Sequence, residues 1–342
     1  MKKINLAILG ATGAVGKEML KVLEERDFPI DKLKLYAHES EAGQIIEFNN
    51  KKYEVEAVDE DSFKGIDITM VAVGNNVSEK LMPQITGSGS IAVDNSSAFR
   101  LNDDVPLVVP EINPEAVMNH KGIIANPNCS TTIGLVAINE INKYAKVERM
   151  IVSTYQAVSG AGIDGISELE EQTKAVLNSE EYEPKIFDHT IAFNVIPNID
   201  IPKDNGFTKE EMKMRNEGRK ILDNPNLKVN CTCVRVPVIR SHSESITIET
   251  EKEITVEKAR ELLSKAKGVK LVDDLPNKKY PMPLDTSNQD LVYVGRIRKD
   301  ISRDDNKSLT LWCCGDQIRK GAATNAVQIA ELLIEKNLVW EI

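Results

Sequence analysis

A glycine-rich loop near the start of the chain constrains the fold more than any other sequence feature. The apolar run at residues 4–9 leads directly into GATGAVG at 10–16, and apolar residues at helical spacing follow through residue 25. Backbone N–H groups of such a loop, with the helix N-terminus behind it, bind the pyrophosphate of a dinucleotide. A tight turn without a ligand is the alternative. The candidate contacts are Gly10, Thr12, Gly13, Ala14, Val15 and Gly16.

Short apolar runs alternate with helical stretches as far as residue 127. Their nearly continuous hydrophobicity is typical of strands that are covered on both faces of a parallel sheet. The runs lie at 4–9, 33–37, 66–73, 90–94, 106–110 and 122–125. Right-handed β-α-β connections then predict a Rossmann-like, doubly wound parallel sheet over residues 1–127.

The pattern changes after residue 127. A helix is predicted over 130–145, and a second, amphipathic helix over 254–267 with Thr255 as its N-cap. Strands are predicted at 149–158, 228–238, 244–250, 291–298 and 308–314. Residues 128–316 therefore read as an α+β catalytic and dimerisation domain with a mixed, largely antiparallel sheet. The charged, loop-rich region 168–225 is a candidate insertion that contacts a second subunit, and the last helix, within 317–342, is expected to complete the first domain.

Composition excludes several classes of protein. The net charge is −10 and there is no basic run, which argues against a nucleic-acid partner. The N-terminal apolar run of six residues is too short for a signal peptide, and there is no stretch of about 18 apolar residues that would span a membrane. A cytoplasmic enzyme is expected. No cluster of His, Cys and carboxylates has the spacing of a metal site.

Cys129 is the candidate nucleophile among five cysteines. It lies in NPNCST, at a predicted loop-to-helix junction, where the helix dipole favours a thiolate and backbone N–H groups can stabilise an oxyanion. A buried structural cysteine after a turn is the alternative. The other four cysteines lie in strand-like segments and are predicted to be core residues: Cys231, Cys233, Cys313 and Cys314.

A thiol nucleophile needs an acid/base partner, and His242 is the best placed of four histidines. It falls where one predicted strand breaks before the next, an end that suits a general base, although a structural histidine is the alternative. Arg235 lies between two valines in a predicted strand, and its planar fork matches a carboxylate.

Together these motifs resemble the aspartate-semialdehyde dehydrogenases. The matching segments follow family order through nearly the whole chain: GATGAVG (10–16), NPNCST (126–131), YQAVSGAG (155–162), EEMK (210–213), RVPVIRSH (235–242) and GDQIRKGAATN (315–325). The resemblance implies reductive dephosphorylation of L-aspartyl-4-phosphate to L-aspartate-4-semialdehyde through a cysteine thioester. This is the shared step toward lysine (via diaminopimelate), threonine and methionine.

The resemblance also implies roles for individual residues. Cys129 becomes the nucleophile, His242 the general acid/base, and Gln156 the amide that orients the acyl group. The implied substrate contacts are Arg235 for the carboxylate, Glu211 for the ammonium, and Arg100 with Lys213 for the phosphate. Without the resemblance, Gln156 would be an ordinary polar strand end, and Glu211 and Lys213 would be helix-surface charges.

Cofactor choice depends on the segment AHESEAG at 37–43. Family members that use NADP commonly carry an arginine here, where this chain aligns Ser40. NADP is the family expectation, but the absent arginine and the acidic Glu39, which can hold a ribose hydroxyl, favour NAD. Further cofactor contacts implied by the resemblance are Ser159, Gly160 and Gln317, with Asn325 as a weaker candidate.

Two other functions share part of this sequence pattern. N-acetyl-glutamyl-phosphate reductase would share the loop and the thiol, but its cysteine motif resembles NPGCY rather than NPNCS. A non-catalytic Rossmann binding protein would be expected to lose Cys129 or His242. For the enzyme, the family implies a homodimer or a homotetramer.

Overall fold

The computed structural model of the protein describes residues 3–339, which fall into two compact units. The first combines Met1–Asn128 with Ala322–Ile342, and the second is Cys129–Gly321. The segment 317–342, in which the last helix is predicted, includes residues 340–342, which lie outside the described part of the chain.

The first unit is built on a seven-stranded sheet whose order is β3-β4-β2-β1-β5-β6-β7. The strands are β1 (Ile4–Leu9), β2 (Ile30–Ala37), β3 (Ile45–Phe48), β4 (Lys51–Ala57), β5 (Ile68–Val71), β6 (Ile91–Asp94) and β7 (Ile123–Ala125). All neighbours are parallel except β3 and β4. Two helices, α1 (Ala14–Glu25) and α2 (Asn75–Gly87), connect strands of this sheet. The predicted Rossmann-like parallel sheet is confirmed.

Two features of this sheet differ from the sequence prediction. Residues 106–110 form no strand, because the segment has a proline at each end, and it contributes only an isolated bridge from Leu107 to Ala125. The β3–β4 hairpin was not predicted, since alternating lysines and glutamates conceal β4. Its two-residue turn, Asn49 and Asn50, has φ of 49° and 58°, a pair of positive values that favours asparagine in a hairpin turn.

The second unit holds a six-stranded sheet of order β11-β12-β13-β10-β8-β9. Its strands are β8 (Val147–Gln156), β9 (Lys228–Arg235), β10 (His242–Thr250), β11 (Val269–Leu271), β12 (Val292–Lys299) and β13 (Ser308–Gly315). The pairs β8–β9 and β11–β12 are parallel, and the other pairs are antiparallel. The predicted mixed, largely antiparallel sheet is therefore confirmed.

Five helices belong to this second unit. They are α3 (Cys129–Ala145), α4 (Ile163–Asn178), α5 (Lys209–Ile221), α6 (Val256–Ser264) and the single turn α7 (Pro283–Thr286). The region 168–225, predicted to be loop-rich, is irregular over residues 179–208, but α5 and most of α4 also lie there. Their many charges hid the apolar face that each helix buries. Thr255 caps α6 as predicted, its hydroxyl accepting from the N–H of Lys258 at 3.1 Å.

A final helix, α8 (Thr324–Glu335), belongs to the first unit and packs on α1. Arg26 and Glu331 join the two helices through a bidentate ion pair, with distances of 2.8 and 2.6 Å. No helix within residues 3–339 is long and apolar enough to cross a membrane.

Candidate active site

The ends of three neighbouring strands bring His242, Gln156 and Arg235 together. Gln156, at the end of β8, pairs with Arg235, at the end of β9. His242 begins β10 on the other side of β8, opposite Gly315 of β13, and its Nε2 lies 3.5 Å from Nε2 of Gln156. Residues far apart in sequence thus form one polar row at a single end of the sheet.

Cys129 is the first residue of α3, at the end of the helix where the helix dipole favours a thiolate. Ile133, one turn later on the same face, packs against Gly315, where an added Cβ would lie 3.1 Å from Ile133 Cγ1. Because Gly315 is opposite His242, this face of α3 lies over the polar row. A Cβ on Gly321 would come 2.7 Å from Cβ of Cys129, so this unpredicted glycine leaves the space that the Cys129 side chain needs.

His242 is fully buried and held in one tautomer. The backbone N–H of Ala157 donates to its Nδ1 at 3.0 Å, so the neutral ring carries its proton on Nε2. Burial and the nearby positive charge of Arg235 lower the pKa of His242 to about 3, against the opposing effect of Glu210. The ring is therefore neutral at physiological pH and presents Nε2–H as a donor.

Glu210 supplies the carboxylate of the site, although the sequence analysis missed it. Its Oε1 accepts from Nε2 of Gln156 at 3.2 Å, and its Oε2 accepts from Nζ of Lys213 at 2.8 Å. Lys213 also reaches Asp200 at 2.9 Å. Burial alone would lower the pKa of Lys213, but the two carboxylates outweigh it and raise that pKa.

Glu211 does something different from what the sequence predicted. One oxygen accepts from the backbone N–H of Thr208 at 2.7 Å, and the other from that of Cys233 at 3.0 Å. The hydroxyl of Thr208 in turn accepts from the backbone N–H of Glu211, which completes a capping box at the start of α5. The structure thus corrects the expectation: Glu211 ties α5 to β9, and Glu210 turns toward the polar row. The T-x-x-E pattern at 208–211 was the available signal.

Arg235 is buried, and its orientation is fixed on two sides. Nη1 donates to the carbonyl of Ala157 at 2.6 Å, and Cζ lies 5.7 Å from the ring centroid of Phe187. Burial lowers the pKa of Arg235, while Glu210 and Cys129 offset part of the shift. A Cβ on Gly160 would come 2.9 Å from Nη1 of Arg235, so this predicted position needs glycine to let the chain pass.

Arg100 belongs to the first unit, whereas Lys213, with which it was paired in the prediction, belongs to the second. Nε of Arg100 donates to the carbonyl of Asn126 at 2.9 Å, and Nη2 of Arg100 donates to the carbonyl of Asn95 at 2.7 Å. Asn325, also in the first unit, is fully buried and donates to the carbonyl of Val108.

The glycine loop of the first unit borders a cavity of about 920 Å³. Gly10 has φ of 88°, and a Cβ there would come 2.5 Å from the carbonyl of Ala72; at Gly16 the clash with Gly10 O would be at 2.1 Å. Both positions therefore require glycine, as a close phosphate-binding turn does. The predicted residues that line this cavity are Gly10, Thr12, Gly13 and Glu39. Ala14 and Val15 begin α1 beside it.

The remaining cofactor candidates lie outside that cavity lining. Ser40 is in a short 3₁₀ turn, where His38 Nδ1 accepts from its N–H. In the second unit, Nε2 of Gln317 donates to Ser159 Oγ, and Oε1 of Gln317 accepts from the N–H of Ser241 at 2.8 Å. Across residues 3–339, no group of His, Cys and carboxylate side chains is arranged to hold a metal ion.

Comparison with known proteins gives one consistent answer. Residues 5–120 match the NAD binding domain of semialdehyde dehydrogenases, and residues 139–320 match the dimerisation domain. The chain is 53% identical over 339 residues to an aspartate-semialdehyde dehydrogenase of Aquifex aeolicus, with coverage of 98% of this chain and 99% of the relative. It is 52% identical to that of Campylobacter jejuni, with coverage of 98% of both.

A solved structure gives the same answer as these sequences. The fold matches a crystal structure of aspartate semialdehyde dehydrogenase II from Vibrio cholerae, complexed with ASA, with a TM-score of 0.95 at 46% identity. The match covers 98% of this chain and 99% of that one. The chain belongs to the aspartate-semialdehyde dehydrogenase family.

Proposed function

We propose that the protein catalyses NAD(P)H-dependent reductive dephosphorylation of L-aspartyl-4-phosphate to L-aspartate-4-semialdehyde. The observation that carries the proposal is the polar row of His242, Gln156 and Arg235 beneath the helix that begins with Cys129. It supplies a nucleophile, a hydrogen-bond donor and a carboxylate receptor in one place. The complex of the Vibrio cholerae relative with ASA supports the choice of substrate.

The first chemical step is attack of the Cys129 thiolate on the acyl carbon. A C–S bond forms and the C–O bond to phosphate breaks, so that inorganic phosphate leaves and a thioester remains. Negative charge grows on the acyl oxygen during this attack. The fixed Nε2–H of His242 and the positive end of the α3 helix dipole are suited to stabilise that charge.

The second step reduces the thioester. When bound at the glycine loop, a nicotinamide cofactor would supply a hydride to the thioester carbon, which would leave an alkoxide at the former carbonyl oxygen. Collapse of the resulting alkoxide re-forms the carbonyl, breaks the C–S bond and returns the Cys129 thiolate. His242 again serves as the donor to the charged oxygen, which is the acid half of its expected acid/base role.

The charged groups of the substrate find complements in the same residues. Arg235 receives the α-carboxylate, and Lys213 with Arg100 receives the phosphate. Glu210, rather than Glu211, receives the ammonium, since Glu210 contacts Gln156 of the polar row whereas Glu211 binds the backbone N–H groups of Thr208 and Cys233. The first unit binds the dinucleotide, and the second carries out the chemistry and joins subunits into a homodimer or homotetramer. The family description of residues 139–320 supports that assembly.

The adjacent glutamates provide a test of this assignment. Glu210→Gln removes the ion pair with Lys213, and we expect kcat/KM for aspartate semialdehyde to fall about ten- to hundredfold. Glu211→Gln weakens the capping box, and we expect it to lower the free energy of unfolding by about 1 kcal/mol while kcat/KM stays within about threefold. Steady-state kinetics and thermal unfolding of both variants decide the matter. A larger loss of kcat/KM in Glu211→Gln would reverse the assignment.

For the cofactor, we propose that NAD is used unusually well beside the family's NADP. The cavity next to the glycine loop is lined by the carboxylates of Glu39, Glu41, Asp59 and Glu60 against one lysine, Lys80. An excess of carboxylates disfavours a 2′-phosphate by like-charge repulsion, and a glutamate can hold the ribose 2′-hydroxyl instead.

Kinetics with the two cofactors test this proposal. We expect kcat/KM with NAD to lie within about tenfold of that with NADP. Ser40→Arg should shift the ratio toward NADP by about tenfold or more, because a guanidinium binds a phosphate strongly. Ser40→Ala is the matched control and should leave the ratio unchanged. A hundredfold preference of the wild type for NADP would contradict the proposal.

A further inference from the structure

Arg235 is covered on one side by an irregular segment, residues 185–192, which follows α4. The ring of Phe187 lies against the guanidinium, with 5.7 Å between Cζ and the ring centroid. The ring also lies beside the start of α4, where a Cβ on Gly165 would come within 3.3 Å of Phe187 Cζ. Arg235 and Phe187 also line the same cavity, of about 400 Å³. The ring is thus close to both Gly165 and Arg235.

One buried carboxylate fixes the backbone of this segment. Glu168, on α4, is only 3% exposed, and its Oε2 accepts from the N–H groups of Lys185 and Ile186 at 2.9 and 2.6 Å. Its Oε1 accepts from the N–H of Phe187 at 3.3 Å. Three consecutive backbone donors therefore converge on one carboxylate, an arrangement that stabilises the negative charge and orders the segment.

A second side chain of α4 continues the same pattern. Gln172, one turn after Glu168, donates to Glu168 Oε1 at 3.0 Å. Its own Oε1 accepts from the N–H groups of Ile191 and Ala192 at 2.7 and 3.1 Å. Ile191 and Ala192 are also held by a small apolar cluster. The Phe187 side chain packs against the same cluster, while the backbone N–H groups of 185–187 are bound by Glu168.

We propose that Glu168 is a positioning residue for Arg235. By fixing the backbone at 185–187, it keeps the Phe187 ring against one face of the guanidinium while Ala157 O holds Nη1. A guanidinium group that is fixed in this way loses less conformational entropy when it binds a carboxylate. The inference rests on the proposed role of Arg235 as the receptor of the substrate α-carboxylate.

The test is Glu168→Gln, which keeps the shape of the side chain but turns one acceptor into a donor that faces backbone donors. We expect KM for aspartate semialdehyde to rise about tenfold, while kcat, KM for phosphate and KM for NADP stay within about twofold. Phe187→Leu, which removes the ring and keeps the anchor, should raise the same KM selectively. Glu170→Gln, an exposed neighbour on α4, is the matched control and should behave as wild type.

A further variant, Arg235→Lys, shows which of two claims has failed: the positioning role of Glu168, or the role of Arg235 as receptor of the substrate α-carboxylate. If Arg235→Lys leaves KM for aspartate semialdehyde unchanged, the carboxylate receptor itself is wrong. If it raises that KM while Glu168→Gln does not, the positioning role is wrong. An equal rise of all three KM values in Glu168→Gln would also overturn it, because the segment would then support the whole site. Should Glu168→Gln fail to fold, an unchanged KM in Phe187→Leu overturns the inference.

Discussion

Cys129→Ala is expected to abolish phosphate-dependent oxidation of aspartate semialdehyde, with a loss in kcat of at least about 10⁴-fold. The reason is that no other group at the end of the sheet can form the thioester. Of the remaining cysteines, Cys313 is fully buried on β13, and burial raises the pKa of its thiol well above the usual value. The measurement is reduction of NADP and of NAD with phosphate and aspartate semialdehyde as substrates.

A second cysteine variant serves as control for the first. Cys231 is buried in β9, where its sulfur lies 3.7 Å from that of Cys233, away from the polar row. Cys231→Ala should therefore retain the activity of the wild type. Mass spectrometry of the wild type, quenched after incubation with aspartate semialdehyde and NADP but no phosphate, should show the aspartyl thioester on Cys129. Phosphate-dependent turnover of Cys129→Ala within tenfold of wild type would refute covalent catalysis.

Local sequence context singled out the thiol, the imidazole and the guanidinium that we propose for this site. Each stands at the end of a recognisable element: Cys129 begins a helix, Arg235 ends a strand and His242 begins one. Side chains at strand ends in one sheet tend to share an edge, so the pattern carried real spatial information. The family resemblance added Gln156 and the identity of the substrate.

Residues that act through tertiary contacts could not be read in the same way. Glu210 and Glu211 are adjacent on α5, and neighbours on a helix point about 100° apart. Which of them faces the site is settled by the capping box and by β9, not by composition. Gly321 and Glu168 have no local signature either. One leaves room for a side chain from a distant part of the sequence, and the other binds backbone N–H groups seventeen to nineteen residues away.

Replacing His242 by asparagine is expected to lower kcat by about 10²- to 10⁴-fold without unfolding the protein. Asparagine can keep an acceptor for the N–H of Ala157, where Nδ1 now accepts at 3.0 Å, but it has no atom at the position of Nε2. The variant therefore removes the donor and preserves the local backbone. Single-turnover kinetics should show the loss in the chemical steps, with KM for the cofactor unchanged. A loss of less than tenfold would show that the imidazole is not the principal donor.

The low pKa of His242 also predicts how the wild type and His242→Asn should differ in their dependence on pH. Since burial and Arg235 lower this pKa from 6.5 to about 3, the ring stays neutral between pH 5 and 8 in the folded protein. Any acidic limb of kcat/KM in that range belongs to another group, and it should keep its midpoint in His242→Asn.

The stability of the protein, in contrast, should depend on the lowered pKa of His242. Below pH 6.5 the imidazole of His242 binds a proton in the unfolded chain but stays neutral in the folded protein. The free energy of unfolding of the wild type should therefore fall, relative to that of the variant, as the pH drops toward 3. The expected slope is about 1.4 kcal/mol per pH unit, measurable by urea denaturation at several pH values. Equal pH dependence in the two proteins would mean that the imidazole titrates normally in the fold.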